Sequence, residues 1–260
     1  MQKNSYSTIR TLMESTKIEE LRQGLALARS EISRIGSNES KPLFEMVSTI
    51  FYIDPWDRPD LMPILDEAIS LVVGFGEWVI PILVKNLDTT DIKAQFAIAQ
   101  VLGRIGTDAI KPLMDEYESS VDPALRSFIL YTLGKIKTPK IVQAAYIVIE
   151  AAQSDNLELR DTAIRAIGKF AESIPPSHLS EELHMGFIER LQTDLADPST
   201  SIRAKVVRSL GKLSKYGHLT APEREKLKEL CRLFLDVDEE DYECWPYIIR
   251  KEAKEALKYV

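Results

Sequence analysis

An all-α chain, wound as a right-handed α-α superhelix of about five to seven helix pairs, is the fold this sequence predicts. Three observations predict it. A recurring phrase closes successive apolar stretches: Leu102-Gly103-Arg104-Ile105, Leu133-Gly134-Lys135-Ile136, Ile167-Gly168-Lys169-Phe170 and Leu210-Gly211-Lys212-Leu213. Its glycines stand 31, 34 and 43 residues apart, the period of units that hide their apolar faces on one another. Upstream of the later anchors, an apolar residue is followed by Arg at the same depth. Leu125-Arg126, Leu159-Arg160, Ile202-Arg203 and Ile249-Arg250 share the slot, and Ala94-Gln95 fill it in the first clear unit. Apolar residues also recur at helical spacing, as in Leu125, Phe128, Ile129 and Leu133, or Ile202, Val206, Val207, Leu210 and Leu213.

In chain order, residues 1–75 read as irregular helical repeats or a cap, with helices expected over Ile18–Ile35, Leu43–Tyr52 and Asp60–Val73. Gly74 is a degenerate anchor, and a terminal repeat departs from consensus because one face meets water. Residues 76–260 read as the repeats of a single continuous solenoid domain. Between the anchored helices lie second ones, expected over Trp78–Leu87, Ala109–Tyr117, Val142–Ala152, Glu182–Leu195 and Arg224–Leu235. Asp122-Pro123 and Asp197-Pro198 each place a capping acid before a Pro at the first helical position.

These residues together resemble the HEAT-repeat family. The short units ending in Leu102-Gly103-Arg104-Ile105-Gly106 are most similar to its bilin-lyase-like subclass. Residues 77–172 carry the pattern closely, and 182–215 and 222–260 more loosely. The resemblance implies aspartate–arginine ladders between repeats, for which Asp122/Arg126, Asp155/Arg160 and Asp197/Arg203 are the available pairs. Arg126, Arg160, Arg203 and Arg250 are accordingly expected to be structural, satisfying helix-end carbonyls and tying repeats together.

Composition narrows the function. A formal charge of −7 counts against broad binding to nucleic acid or an anionic membrane, which needs clustered Lys and Arg. Cys231 and Cys244 are too few for a disulfide framework and read as packed thiols in a reducing compartment. Met1–Lys17 has no apolar core, and the most apolar stretch, Ala68–Val84, is interrupted by Gly74, Gly76, Glu77 and Pro81, so a cytoplasmic protein is expected.

Catalytic chemistry finds little to stand on. His178, His184 and His218 form no HExxH and none precedes Glu, which removes zinc-protease spacing and the di-iron pattern of the HEAT-like deoxyhypusine hydroxylase. The acidic run Asp236–Glu243 lacks the Gly and Glu of a calcium loop and reads as a solvated connection. The glycines complete no phosphate-binding motif, and no serine stands in a nucleophile elbow. No catalytic residue, metal site or cofactor is expected.

What remains is a surface. The second helices are expected to line a concave face, with Trp78, Lys85, Lys111, Asp115, Tyr146, Glu150, Arg190 and Asp194 off their apolar stripes as partner-binding candidates. The segment Phe51–Asp60, rich in aromatics, Asp and Pro, is expected to be a rigid connector whose Trp56 fills an inter-repeat groove, or a recognition loop using Trp56 and Arg58. The expected function is a non-catalytic adaptor or scaffold, a monomer on its own, that binds a protein partner and neither nucleic acid nor membrane. The alternative, implied by the subclass resemblance, is a phycobilin lyase-like subunit that handles a linear tetrapyrrole.

Overall fold

The computed structural model describes residues 2–89, 91–236 and 245–260. Among these, every regular element is a helix. The chain forms two compact units, residues 1–116 and 117–260. The acidic run beyond Asp236 and Cys244 lie outside the described residues.

The first unit contains α1 (Gln2–Met13), α2 (Ile18–Ile35), α3 (Lys41–Ser48), α4 (Met62–Val73), α5 (Ile80–Lys85) and α6 (Ile92–Ile105). Helix α2 has the bounds the sequence predicts. Helix α1 was not anticipated: its stretch is polar, and among its described side chains only Ile9 and Met13 are buried. It seats against α2 at Gly24, where a Cβ would stand 3.1 Å from the Leu12 Cβ. The expected helix Trp78–Leu87 is broken. Pro81 caps its usable start, leaving a 3-10 turn at Glu77–Val79, a short α5 and a second 3-10 turn at Asn86–Asp88. Helix α6 starts on the Asp91 side chain, which accepts from the Lys93 and Ala94 amides, and stops at Gly106, whose φ of +81° favours glycine. Helices α4 and α6 pack together, and Arg104 of α6 donates to Ser70 and Asp66 of α4.

Helix α7 (Thr107–Ser119) carries the boundary between the units. The second unit continues with α8 (Pro123–Leu133), α9 (Ala145–Ala151), α10 (Leu157–Phe170), α11 (Glu181–Asp194), α12 (Thr200–Lys215), α13 (Ala221–Leu235) and α14 (Tyr247–Ala256). Asp122 caps α8 as expected, accepting from the Ala124 and Leu125 amides. Asp197 does not cap α12. Ser199 does, and Asp197 is turned to accept from the Ser199 amide and from Arg160.

Alternate helices of this unit form two rows of unequal closeness. Helices α8, α10, α12 and α14 pack extensively side by side, while α9, α11 and α13 touch one another far less. The anchor glycines explain the close row. A Cβ at Gly168 would lie 2.7 Å from Ser209 Oγ and 3.0 Å from Ser209 Cα, and one at Gly211 would lie 2.9 Å from Ala256 Cβ. Side chains lock each step: Ser127 Oγ donates to the Glu158 carbonyl at 3.1 Å, Ser209 Oγ to the Ile164 carbonyl at 2.9 Å, and Arg208 Nε to Glu252 at 2.9 Å. The close-packed anchored helices are the inner row of the second unit, and the loosely packed second helices its outer row.

Among the described residues no single helix is long and apolar enough to cross a membrane. One bent pair, Pro59–Val73 with Glu77–Asp88, meets the criterion by length and composition. Most of its apolar residues, including Ile64, Leu65, Ile69, Val72, Leu83 and Leu87, are buried.

Candidate partner-binding surface

The residue after each apolar slot works at helix ends. Gln95 Nε2 donates to the carbonyls of Leu87 at 2.8 Å and Thr89 at 2.7 Å, closing the end of the preceding helical segment. Arg126 Nε does the same for Tyr117 at 3.1 Å and Ser120 at 2.7 Å, with its guanidinium over the Tyr117 ring. Arg160 combines both expected roles, donating through Nη1 to the Ser154 carbonyl at 2.6 Å and through Nε to Asp197 of the next repeat at 2.9 Å. Here the within-unit pairs expected of a ladder give way to one rung, Arg160–Asp197, that crosses from repeat to repeat; Asp122 and Asn156 are engaged as caps. Arg203 departs from the pattern. It meets Thr200 Oγ1 at 3.4 Å and lies over the Trp245 ring, and its Nε has no hydrogen-bond partner among the described residues. Arg250 is half-buried on α14.

The candidate surface residues fare unequally. Lys85 and Glu150 are exposed. Lys111 and Asp115 are exposed and paired with each other at 2.7 Å. Tyr146 is exposed, and its hydroxyl donates to Glu118. Two need correction. Trp78 is half-buried, packing edge-on to Phe44 and Phe75 with its Nε1 donating to Ser37 Oγ at 3.0 Å, so much of its ring is engaged within the first unit. Asp194 is buried and clasped by the half-buried Arg190, one helical turn before it. Tyr146, Glu150 and Arg190 all stand on the outer, wider row of the second unit.

Trp56 fills no groove. It is 93% exposed, on a loop braced by Asp54, which accepts from the Trp56 amide at 2.8 Å and pairs with Lys93 at 3.0 Å. Arg58 pairs with Asp60 at 2.7 Å and donates to the Thr16 carbonyl.

The inner row holds what the sequence reading passed over. Leu130 and Tyr131 of α8, Gly134, Lys135 and Lys137 beyond it, and Thr162, Arg165, Ala166 and Lys169 of α10 line a cleft of about 230 Å³. Lys135 Nζ lies 4.8 Å from the Tyr131 ring centroid and Arg165 Cζ 5.9 Å from it. At the cleft's edge Glu172 collects Lys137 at 2.8 Å, Lys169 at 3.1 Å and Lys212 at 2.6 Å. Burial works to raise the Glu172 carboxyl, and the three ammoniums, Lys137 foremost, overcome it and hold it at about 2. Lys135 and Arg165 have no carboxylate within ion-pairing distance among the described residues.

Other reactive groups are structural. Cys231 is buried, and burial pushes its thiol up to about 11. His218 is buried against the Ala171 carbonyl at 3.1 Å, and burial lowers its pKa. His184 meets Glu223 at 2.9 Å, the same Glu that closes a capping box with Thr220. Among the described residues no cluster of three or more His, Cys, Asp or Glu is arranged to hold a metal ion.

Within each unit the helices stack in the manner of helical-repeat proteins. Residues 80–167 match the family of HEAT repeats, so the resemblance read from the anchors is borne out over that segment. The chain is similar in fold to the archaeal HEAT-like repeats protein from Thermococcus onnurineus NA1, at 17% identity, covering 98% of this chain and 96% of that one with a TM-score of 0.54. It is also similar to a chain of the complex of CpcE and CpcF of phycocyanin lyase from Nostoc sp. PCC7120, at 19% identity over 68% of this chain and 97% of that one, TM-score 0.52. A mutant of Kap121p matches all of this chain with 30% of its own, at 14% identity and a TM-score of 0.60. At these identities the likeness is one of fold. The comparison with curated protein sequences gave no match.

The signal for the cleft was in the anchor phrase itself. Arg104, Lys135, Lys169 and Lys212 each follow an anchor glycine. A residue in one repeat slot returns at one place on a row of helices, so a repeated cation predicts a cationic strip.

Proposed function

We propose that this chain is a non-catalytic protein-interaction scaffold of HEAT type, acting as a cytoplasmic monomer that binds a protein partner through a face of its stacked helices. The irregular character of residues 1–75 as a cap on the regular repeats belongs to the same proposal. One observation carries the reading: successive repeats seal their apolar faces on one another, yet the inner row of the second unit leaves a cleft open, floored by Leu130, Gly134 and Ala166 and rimmed by Tyr131 and cations. Trp56, Lys85 and Lys111 in the first unit, with the half-buried Arg58, and Tyr146 and Glu150 in the second remain further contact candidates.

Affinity capture from the native cell extract, with cross-linked residues mapped by mass spectrometry, tests the scaffold reading. The expected result is one defined protein, recovered in stoichiometric amount, whose cross-links fall on one helix row. Recovery of no protein above background would overturn it.

A second reading follows from the likeness to CpcE and CpcF of phycocyanin lyase together with the aromatic, cationic cleft. A linear tetrapyrrole would lay its rings on Tyr131 and its propionates against Lys135 and Arg165. Its mark is a visible absorption band that appears when the purified chain is mixed with a bilin and disappears in Tyr131→Ala.

A further inference from the structure

Two clefts of the inner row are built alike and charged differently. Between α12 and α14, Arg208, Gly211, Lys212, Lys215, Glu252 and Tyr259 line a cleft of about 210 Å³. Two of its three cations are answered by carboxylates, Arg208 by Glu252 and Lys212 by Glu172, while Lys215 lies over the Tyr216 and Tyr259 rings. In the step between α10 and α12, Lys205 pairs with Asp161. The α8/α10 cleft is different. Lys135 and Arg165 converge on one Tyr131 ring, and Lys137 and Lys169 share the single carboxylate of Glu172 with Lys212. Gathering like charges without a counter-charge raises the energy of each, a cost that a binding partner of opposite sign removes.

Resting on the scaffold reading above, we propose that the α8/α10 cleft is the docking site for an acidic, apolar-flanked segment of the partner protein. One carboxylate of that segment sits between Lys135 and Arg165, and a neighbouring apolar side chain packs on the Tyr131 ring, Leu130 and Ala166. Gly134 provides the depth, since the floor there carries no side chain. A peptide suits the cleft better than a nucleic acid. A phosphate backbone is neutralised over many successive charges, and along this row Asp161, Glu172, Glu252 and Glu255 interrupt the cations. One short acidic segment needs only the local excess.

The test is fluorescence anisotropy of the full chain with a fluorescein-labelled peptide of alternating Glu and Leu. The wild-type chain binds it, and binding weakens as salt rises from low to physiological. Lys135→Glu with Arg165→Glu, both exposed positions, lowers affinity at least about tenfold, with the thermal melt unchanged. Arg10→Glu with Lys41→Glu, an equal charge change at exposed positions of the first unit, leaves it within about twofold. Glu172→Gln, which frees three ammoniums, tightens binding even as it destabilises the fold, an opposition that a merely structural cluster does not produce. No binding by the wild-type chain, or equal loss with both pairs of variants, overturns the proposal. So does displacement of the peptide by a labelled single-stranded oligonucleotide at lower concentration. If a captured protein partner still binds the Lys135→Glu, Arg165→Glu chain, the scaffold reading stands and the docking site falls. If the peptide needs the cleft but no protein is captured, the reverse holds.

Discussion

The inner and outer rows of the second unit solve the same packing problem with different tolerances. Gly168 on α10 meets Ser209 at its backbone, 3.0 Å from the Cα where a Cβ would stand, and backbone does not step aside. Gly186 on α11 meets Ile149 of α9, where an added Cβ would lie 2.9 Å from the Cδ1 methyl at the end of a flexible chain. The inner row is thus fixed by main-chain proximity and the outer row by adjustable side chains. A rigid row can hold cations at set spacings, and there the unmatched charge of Lys135 and Arg165 collects.

The largest test of this contrast is one substitution made twice. Gly168→Ala is expected to cost about 2–3 kcal/mol, because overpacking against Ser209 outweighs the roughly 1 kcal/mol gained in helix propensity. Gly186→Ala is expected to fall within about 0.5 kcal/mol of wild type, the propensity gain offsetting a small shift of Ile149. Urea unfolding with a shared m-value measures both, and equal costs would erase the distinction.

Next in size is Arg160→Ala, expected to cost about 2 kcal/mol, since it strips both the Ser154 carbonyl and a nearly buried Asp197 of their donor. Arg203→Ala, at the equivalent slot with a single long bond, is expected to cost under about 1 kcal/mol. Denaturant midpoints of the two variants set the order, and a larger loss at Arg203 would contradict it.

Glu172→Gln is expected to cost about 1–2 kcal/mol at neutral pH, with the side chain 17% exposed. The sign of its pH dependence is set by the depressed pKa. The carboxylate's contribution is complete above its ordinary value of 4.5 and is lost as pH falls through about 2 in the folded chain. The stability gap between wild type and variant should therefore narrow below about pH 4.5 and close near pH 2. A gap that widens on acidification would show that the three lysines are not what holds it. Smallest of all is Tyr146→Phe on the outer row, expected within about 0.5 kcal/mol because the bond to Glu118 is exposed.

Much of this fold was written in local signals. The Leu-Gly anchors marked α6, α8, α10 and α12, since a glycine at a helix–helix contact and an apolar stripe are both consequences of close stacking. The donor after the apolar slot was legible as a helix-end clamp, and Gln95 performs it where Arg is missing. Three features were not legible. The breaking of Trp78–Leu87 into 3-10 and α segments depends on how Pro81 and the Phe44–Phe75–Trp78 cluster settle together. The burial of Asp194 depends on Arg190 folding over it. Which row packs closely depends on contacts between helices that no one helix records.

The most direct measurement is hydrogen exchange of the full chain with and without a saturating concentration of the Glu-Leu peptide. The account predicts added protection over residues 130–137 and 162–172, with residues 145–151 and 181–194 unchanged. Protection confined to those outer-row segments would contradict it.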